Sequence, residues 1–270
     1  MVKVGIIGCG AIGSSLARSI ARNFKGKAQL AGCYDINPQK SRGLTNTLGQ
    51  PSLAAESLAV LIRKSDLLIE ATSMKASFSI ALKTIKAKKD IIVLSVGGLL
   101  MHAGQLTRML KKYKSRVYLP SGALCGIDGL KAAACGKITK VILTTRKHPR
   151  SLQGAPYLIK KKINLRRITK ERLIFQGTAM EAIKAFPQNI NVAAVLSIAG
   201  MGPRKTQVRI IACPQSLKNI HEVRIESDAA IICTRTENVV HPDNRKTSFL
   251  AVVSALSVVK QVLSGLKIGT

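Results

Sequence analysis

The stretch Gly8-Cys9-Gly10-Ala11-Ile12-Gly13 decides the fold of the first half of the chain. It follows the apolar run 3–7 and precedes apolar residues at helical spacing, so the glycines stand between a buried strand and a helix. In that context the first glycine permits a tight turn, the second lets the backbone approach a pyrophosphate, and the third allows close helix–strand packing. The free N–H groups of the helix start would face the phosphates. We therefore predict a dinucleotide-binding loop whose cofactor contacts are Gly8, Gly10, Ala11, Ile12 and Gly13.

An acidic residue at the end of the next predicted strand indicates which dinucleotide is bound. Asp35 follows the strand Leu30–Tyr34 and lies 22 residues after Gly13. A carboxylate there can accept hydrogen bonds from the adenosine ribose and would repel a 2′-phosphate, which favours NAD over NADP. Two alternatives stay open. Asp35 could simply cap the turn that follows it, and the nearby Arg42 would allow use of NADP.

The order of predicted elements divides the chain into two domains. Strands and helices alternate as far as Ser121, which is typical of an α/β fold with a doubly wound parallel sheet, the Rossmann type. Later strands follow one another without intervening helices, an α+β pattern. An apolar helix at about 248–263 must bury most of its surface, on the first domain or at a subunit contact. We predict a dinucleotide-binding domain of residues 1–121 and 246–270, to which this C-terminal helix returns, and an α+β substrate domain of residues 122–245.

The chain carries a large positive charge. It has 43 Lys and Arg against 13 Asp and Glu, a formal net charge of +30, and the segment Lys137–Arg172 holds twelve basic residues and one acid. Such a balance can mark a nucleic-acid-binding surface. Aromatic residues make up only 3% and tryptophan is absent, so stacking platforms for bases are scarce. We therefore interpret the charge as a solvated surface that attracts small anions, and we do not expect a nucleic-acid partner.

The cysteines and the apolar stretches indicate the compartment. The six cysteines include no close pair at metal-ligand spacing, so we expect neither a metal site nor a disulfide framework. The longest apolar stretch near the end, Phe249–Val259, is too short to span a bilayer, and the first residues do not resemble a signal peptide. We expect a cytoplasmic protein without a membrane partner.

Several polar segments of the second half resemble the L-aspartate dehydrogenase family, and with the glycine loop the resemblance covers essentially the whole chain. These segments are Leu119–Ala123, Val141–Lys147, Phe186–Ala194, Asn219–Val223 and Asn244–Ser248. The resemblance implies a two-domain, usually homodimeric enzyme that oxidises L-aspartate to iminoaspartate with NAD(P)+ or runs the reverse reductive amination. The imine hydrolyses to oxaloacetate and ammonia or enters NAD biosynthesis. The family pattern places the catalytic histidine on His221 and cofactor contacts on Ala123 and Asn191. Arg245 departs from it, because the family usually has proline there.

The chemistry of amine oxidation agrees with a histidine. Removing a hydride from Cα and a proton from nitrogen requires a base with a pKa near the working pH. Of the four histidines, His221 is predicted to lie where a loop enters a strand, a position that directs a side chain into a cleft. On its own it could equally be structural. Asn191 could be a helix N-cap instead of a cofactor contact, and Ala123 would contribute backbone.

The two carboxylates of aspartate require cations or hydrogen-bond donors. The candidates are Arg146 and Lys147, at the end of a predicted strand, and Lys246. In so basic a chain, ordinary surface charge is the alternative for each of them.

Two other functions fit parts of the sequence. One is another two-domain Rossmann reductase, similar to dihydrodipicolinate reductase, which the fold alone would allow. The other is a non-catalytic nucleotide- or nucleic-acid-binding protein, which the charge favours and the presence of His221 opposes.

Overall fold

The computed structural model describes residues 1–187, 190–242 and 244–269, without the side chains of residues 244–246. The chain forms two compact units. The first contains Met1–Pro120 and Val252–Lys267, and the second contains Ser121–Ala251 with Ile268 and Gly269. Among the described residues, no helix combines the length and the apolar character that crossing a bilayer requires.

The first unit is built on a five-stranded parallel sheet in the order β2-β1-β3-β4-β5. Its strands are β1 (Val2–Ile7), β2 (Ala28–Tyr34), β3 (Leu67–Glu70), β4 (Asp90–Val93) and β5 (Val117–Tyr118). Its helices are α1 (Ala11–Asn23), α2 (Pro38–Thr47), α3 (Leu58–Lys64), α4 (Met74–Lys86), α5 (Gly97–Leu100) and α6 (Ala103–Tyr113). The predicted doubly wound parallel sheet is confirmed.

Both faces of this sheet are buried, as a parallel sheet with helices on its two sides requires. One face packs with α1 and with the last helix, α11 (Leu250–Leu263). Val252, Ala255 and Val259 of α11 belong to the same buried cluster as Ile6 and Leu16. The predicted return of the C-terminal helix to the first domain is therefore confirmed, although the helix begins at Leu250 rather than at residue 248.

The second unit contains a mixed five-stranded sheet in the order β10-β9-β6-β8-β7, in which only β6 and β8 are parallel neighbours. Its strands are β6 (Ile138–Lys147), β7 (Arg172–Thr178), β8 (Gln207–Ala212), β9 (Asn219–Ser227) and β10 (Ile231–Asn238), and β11 (Val240–His241) with β12 (Asn244–Ser248) forms a separate hairpin. Its helices are α7 (Ile127–Ala133), α8 (Pro156–Lys160), α9 (Ala179–Ala185) and α10 (Asn191–Ala199). The predicted α+β character is confirmed.

One face of this sheet is buried, and the other carries charged side chains. Along β6, Val141, Leu143, Thr145 and Lys147 are buried, while alternate residues are more exposed. This alternation follows from the two-residue period of a strand. It places neighbours in the sequence on opposite faces, which matters for the candidate site.

The expectation that His221 lies where a loop enters a strand is wrong. His221 is the third residue of β9, which begins at Asn219, and it pairs with Thr145 of β6 and Thr236 of β10. Asparagine is uncommon in strands, so the Asn219 at the start of β9 favours a loop when only the sequence is considered. Because β9 has a neighbour on each side, its backbone hydrogen bonds are satisfied there despite the low propensity.

Candidate active site

The glycine loop of the first unit has the shape that a pyrophosphate needs. Gly8 adopts φ +95°, and a Cβ on it would lie 2.5 Å from the carbonyl oxygen of Ala71. A Cβ on Gly13 would collide with the carbonyl oxygen of Gly8. A Cβ on Gly10 would instead meet no atom of the described residues within 4 Å. The first and third glycines are thus required for packing, and the second leaves open space at the start of α1.

The start of α1 can hold an anion. Gly10 is its N-cap, the first turn has no acidic residue, and no described side chain caps it. The first N–H groups of the helix and the positive end of its dipole are therefore available to phosphate oxygens. Ala11 and Ile12 open this helix, where sequence reasoning placed them as cofactor contacts. The residues present fit a dinucleotide.

Asp35 joins the glycine loop to the turn after β2. Its Oδ2 accepts a hydrogen bond from the backbone N–H of Cys9 at 2.8 Å, and its Oδ1 accepts one from that of Asn37 at 2.9 Å. The turn-capping alternative is thus present. Each carboxylate oxygen can still accept a second hydrogen bond, so a ribose hydroxyl is not excluded. The next residue, Ile36, exposes 90% of its surface.

His221 lies on the buried face of the second unit's sheet beside Thr145. The Nδ1 atom of His221 and the Oγ1 atom of Thr145 are 2.7 Å apart, within hydrogen-bond distance, and each residue exposes only 2% of its surface. Burial, together with the nearby charge of Lys147, lowers the pKa of His221 to about 3. The imidazole is therefore neutral at ordinary pH, with one ring nitrogen held by a hydroxyl.

Of the two candidate cations in β6, only Lys147 shares a face with His221. Lys147 exposes 5% of its surface, and burial lowers its pKa to about 8. Arg146 lies on the opposite face, where its Nε donates to Glu171 at 2.9 Å and its Nη1 pairs with Glu222. Lys147 is therefore the better candidate substrate ligand, because the guanidinium of Arg146 is paired with two carboxylates on the other face. The side chain of Lys246 lies outside the described residues.

Comparison with known proteins decides the family. The family model described as "Aspartate dehydrogenase, C-terminal" matches residues 128–262. The family model described as "Homoserine dehydrogenase, NAD binding domain" matches residues 8–120. The L-aspartate dehydrogenase of Methanosarcina mazei is 42% identical over 272 residues, and that of Methanococcoides burtonii is 41% identical. Each alignment covers 100% of both proteins. The chain belongs to the L-aspartate dehydrogenase family.

Solved structures agree with this family. The aspartate dehydrogenase of Thermotoga maritima aligns with a TM-score of 0.74 at 25% identity, over 100% of both chains. A hyperthermophilic archaeal homoserine dehydrogenase in complex with NADPH aligns with a TM-score of 0.62 at 10% identity and shares the fold alone. The resemblance drawn from the sequence is confirmed, and with it the enzyme class and a nicotinamide dinucleotide as cofactor.

The family's two predicted cofactor contacts in the second unit differ in their surroundings. The carbonyl oxygen of the buried Ala123 accepts a hydrogen bond from Nδ2 of Asn238 at 3.1 Å, which fixes the backbone there. Asn191 is the first residue of α10 and is exposed, while the N-cap position falls on Ile190. Asn191 is therefore not the N-cap residue of α10. The preceding Gln188 and Asn189 lie outside the described residues.

Sequence reasoning missed a buried acid close to the glycine loop of this L-aspartate dehydrogenase family member. Glu70 accepts hydrogen bonds from the backbone N–H of Thr72 at 2.7 Å, from the hydroxyl of Thr72 at 2.6 Å, and from the N–H of Ser95 at 3.0 Å. Burial raises the pKa of this carboxyl. The segments after β3 and β4 are thus tied together beside Gly8, whose close neighbours include Thr72. The only sequence signal is an acid that ends an apolar strand.

The predicted site residues form two groups. The glycine loop and Asp35 lie together in the first unit, and Ala123, Asn191, Lys147 and His221 belong to the second. Within the second unit, Thr145, Lys147 and His221 share the buried end of one sheet face. Thr145 is a further functional candidate, and the polar residue in an otherwise apolar alternation is the signal that could have revealed it.

Proposed function

We propose that this protein oxidises L-aspartate to iminoaspartate with NAD(P)+, or runs the reverse reductive amination, and that the imine can hydrolyse to oxaloacetate and ammonia. The observation that carries the proposal is a buried, neutral His221 beside the buried cation Lys147, on one face of the second unit's sheet. The curated relatives named L-aspartate dehydrogenase support the choice of substrate. Family membership favours this function over the two alternatives drawn from the sequence.

His221 supplies the base. When bound, the nicotinamide accepts the hydride that leaves Cα. The amine nitrogen must also lose a proton, and a neutral imidazole can take it or activate the water that attacks the imine. If Nδ1–H donates to the Thr145 hydroxyl 2.7 Å away, the lone pair of Nε2 faces the substrate nitrogen. Thr145 is then a positioning residue that holds the orientation of the imidazole ring.

Lys147 supplies the cation for one substrate carboxylate. Its charge is costly when buried and also lowers the pKa of His221. A carboxylate beside Lys147 offsets both effects, because it stabilises the ammonium and cancels its field at the imidazole. Substrate binding therefore raises the pKa of His221 by the part that is due to Lys147, while the larger effect of burial remains.

The first unit supplies the dinucleotide site. The N–H groups at the start of α1 bind the pyrophosphate, Asp35 accepts from the adenosine ribose, and the exposed Ile36 contacts the adenine. Asp35 favours NAD over NADP, although the nearby Arg42 would also allow the enzyme to use NADP. Ala123 and Asn191 contact the cofactor, as the family pattern implies.

The proposal has three further parts: a metabolic role, an oligomeric state and a location. A role in NAD biosynthesis and a homodimeric state rest on the family resemblance alone. A cytoplasmic location is supported by the cysteines, because all six are free thiols, which suits a reducing compartment.

A direct assay tests the reaction. We expect purified protein to reduce NAD+ with L-aspartate much faster than with L-glutamate, L-alanine or L-malate, as followed by the absorbance of NADH. The variant His221→Ala should retain NAD+ binding while kcat falls about 100-fold, the scale of a lost general base. The matched control is His102→Ala, which removes an exposed histidine stacked on Phe78. Loss of NAD+ binding in His221→Ala, or no NADH from aspartate, would contradict the proposal.

A further inference from the structure

A cavity lies within the second unit. It has a volume of about 890 Å³ and is formed by the connection between β6 and β7, around α8, together with Pro214. The described residues of the candidate active site, Thr145, Lys147 and His221, do not line it. Its volume lies in the range of pockets that hold small organic ligands, and it is much larger than a single inorganic ion requires.

The charged lining of this cavity has one sign. Arg150, Lys162 and Arg166 line it, and no acidic residue is among its described lining residues. A concave surface lined by cations of one sign concentrates anions. The cavity therefore attracts anions through its own basic side chains, in addition to the effect of the overall net charge of the chain.

Two polar side chains of the lining also have their acceptor atoms in use. Nδ1 of His148 accepts from the backbone N–H of Arg150 at 3.2 Å, which leaves its Nε2 as a donor. Oδ1 of Asn164 accepts from the N–H of Arg166 at 3.0 Å, which leaves its amide N–H groups as donors. With the guanidinium and ammonium groups, the polar lining is dominated by donors, and it matches a ligand rich in acceptors.

The rest of the lining is apolar. Its aliphatic and proline side chains are Pro149, Leu158, Ile159, Ile163, Leu165, Ile168 and Pro214. Ile159 exposes 71% of its surface, so part of this apolar lining is open to solvent. A ligand for this cavity therefore combines an apolar body with a strongly anionic group.

We propose that this cavity binds a nucleoside 5′-phosphate, with the base on the apolar lining and the phosphates on the arginine and lysine side chains. Guanidinium groups bind phosphate oxygens through paired hydrogen bonds, which suits Arg150 and Arg166. This site is additional to the dinucleotide site at the glycine loop and does not depend on the proposed reaction.

Titration calorimetry with ATP on protein saturated with NAD+ tests this site, because NAD+ occupies the glycine loop. We expect one ATP per chain and at least tenfold weaker binding in the double variant Arg150→Gln/Arg166→Gln. The matched control is Arg63→Gln/Arg108→Gln, which removes the same charge from α3 and α6 of the first unit and should leave ATP affinity unchanged.

Three results would overturn the proposal. Equal loss of affinity in both double variants would show a general effect of net charge. Tripolyphosphate binding as tightly as ATP would show that the base is not bound. Absence of ATP binding to the NAD+-saturated protein would remove the site itself. If NAD+ itself failed to bind, the comparison of the two double variants would still test this cavity, separately from the proposed reaction.

Discussion

At the scale of single residues, the buried positive charge of Lys147 lowers the stability of the folded protein. Its pKa falls from 10.5 to about 8 because the charged form is desolvated. Between these values the unfolded chain holds a proton that the folded chain has lost, so stability from this group rises with pH through that window. Below pH 8 both states are charged and the cost is complete, about 3 kcal/mol.

The variant Lys147→Met tests this cost. We expect the free energy of unfolding at pH 7 to rise by up to about 3 kcal/mol, and the gain to disappear as the pH rises from 8 to 10.5. Urea denaturation at several pH values measures it, with the exposed Lys140→Met as control. A variant less stable than the parent at pH 7 would show that Lys147 is stabilised by its contacts more than it is penalised by burial.

Thr145 gives a second test at this scale. In Thr145→Val the shape is kept but Nδ1 of His221 loses its partner, so we expect kcat to fall roughly 10- to 100-fold with NAD+ affinity unchanged. Thr145→Ser keeps the hydroxyl and should restore most of the activity. If Thr145 had only a structural role, both variants would show the same decrease in melting temperature and the same kcat.

At the scale of elements, the turn between β1 and α1 separates two uses of glycine. Gly13→Ala should unfold or strongly destabilise the first unit, because its Cβ would collide with the Gly8 carbonyl. Gly10→Ala should leave the melting temperature unchanged, since its Cβ meets open space, yet weaken NAD+ binding by excluding the pyrophosphate. Thermal melting and NAD+ titration of both variants measure the split. Unaltered NAD+ affinity in Gly10→Ala would place the phosphates elsewhere.

The elements also show how much the sequence could predict. The glycine loop and the alternation of strands and helices were readable because their signals are local. The period of a strand separates Arg146 from Lys147, but it does not say which of two adjacent cations faces the interior. That depends on Glu171 and Glu222, which lie 25 and 76 residues away in the chain and pair with Arg146.

Other parts of the site were hidden for the same reason. Glu70 reaches Ser95 across 25 residues, and Asn238 reaches Ala123 across 115. A single sequence carries no mark of such contacts, because they arise only when separate elements pack together. The polar start of β9 likewise gives no sign of a strand in the sequence, because its pairing with β6 and β10 depends on residues far away in the chain.

At the scale of the whole molecule, the first unit is discontinuous. Its core includes Val259 of α11, which is fully buried, whereas Val253 of the same helix is 37% exposed. We expect Val259→Asp to destabilise the protein by more than about 3 kcal/mol, as a buried unpaired charge does, and to abolish NAD+ binding at ordinary temperatures. Val253→Asp is the control and should change stability by about 0.5 kcal/mol or less. Intact NAD+ binding in Val259→Asp would show that the sheet holds the cofactor without α11.

The late position of α11 has a consequence for the order of events on the ribosome. The 131 residues from Ser121 to Ala251 are synthesised between the two parts of the first unit. At roughly 5–20 residues per second, this interval lasts about 7 to 26 seconds. Until it ends, the first sheet lacks α11, which packs with α1 on one of its faces, and by its end every strand of the second sheet has been made. The strand that carries His221 is therefore made before the unit that contains the glycine loop is complete.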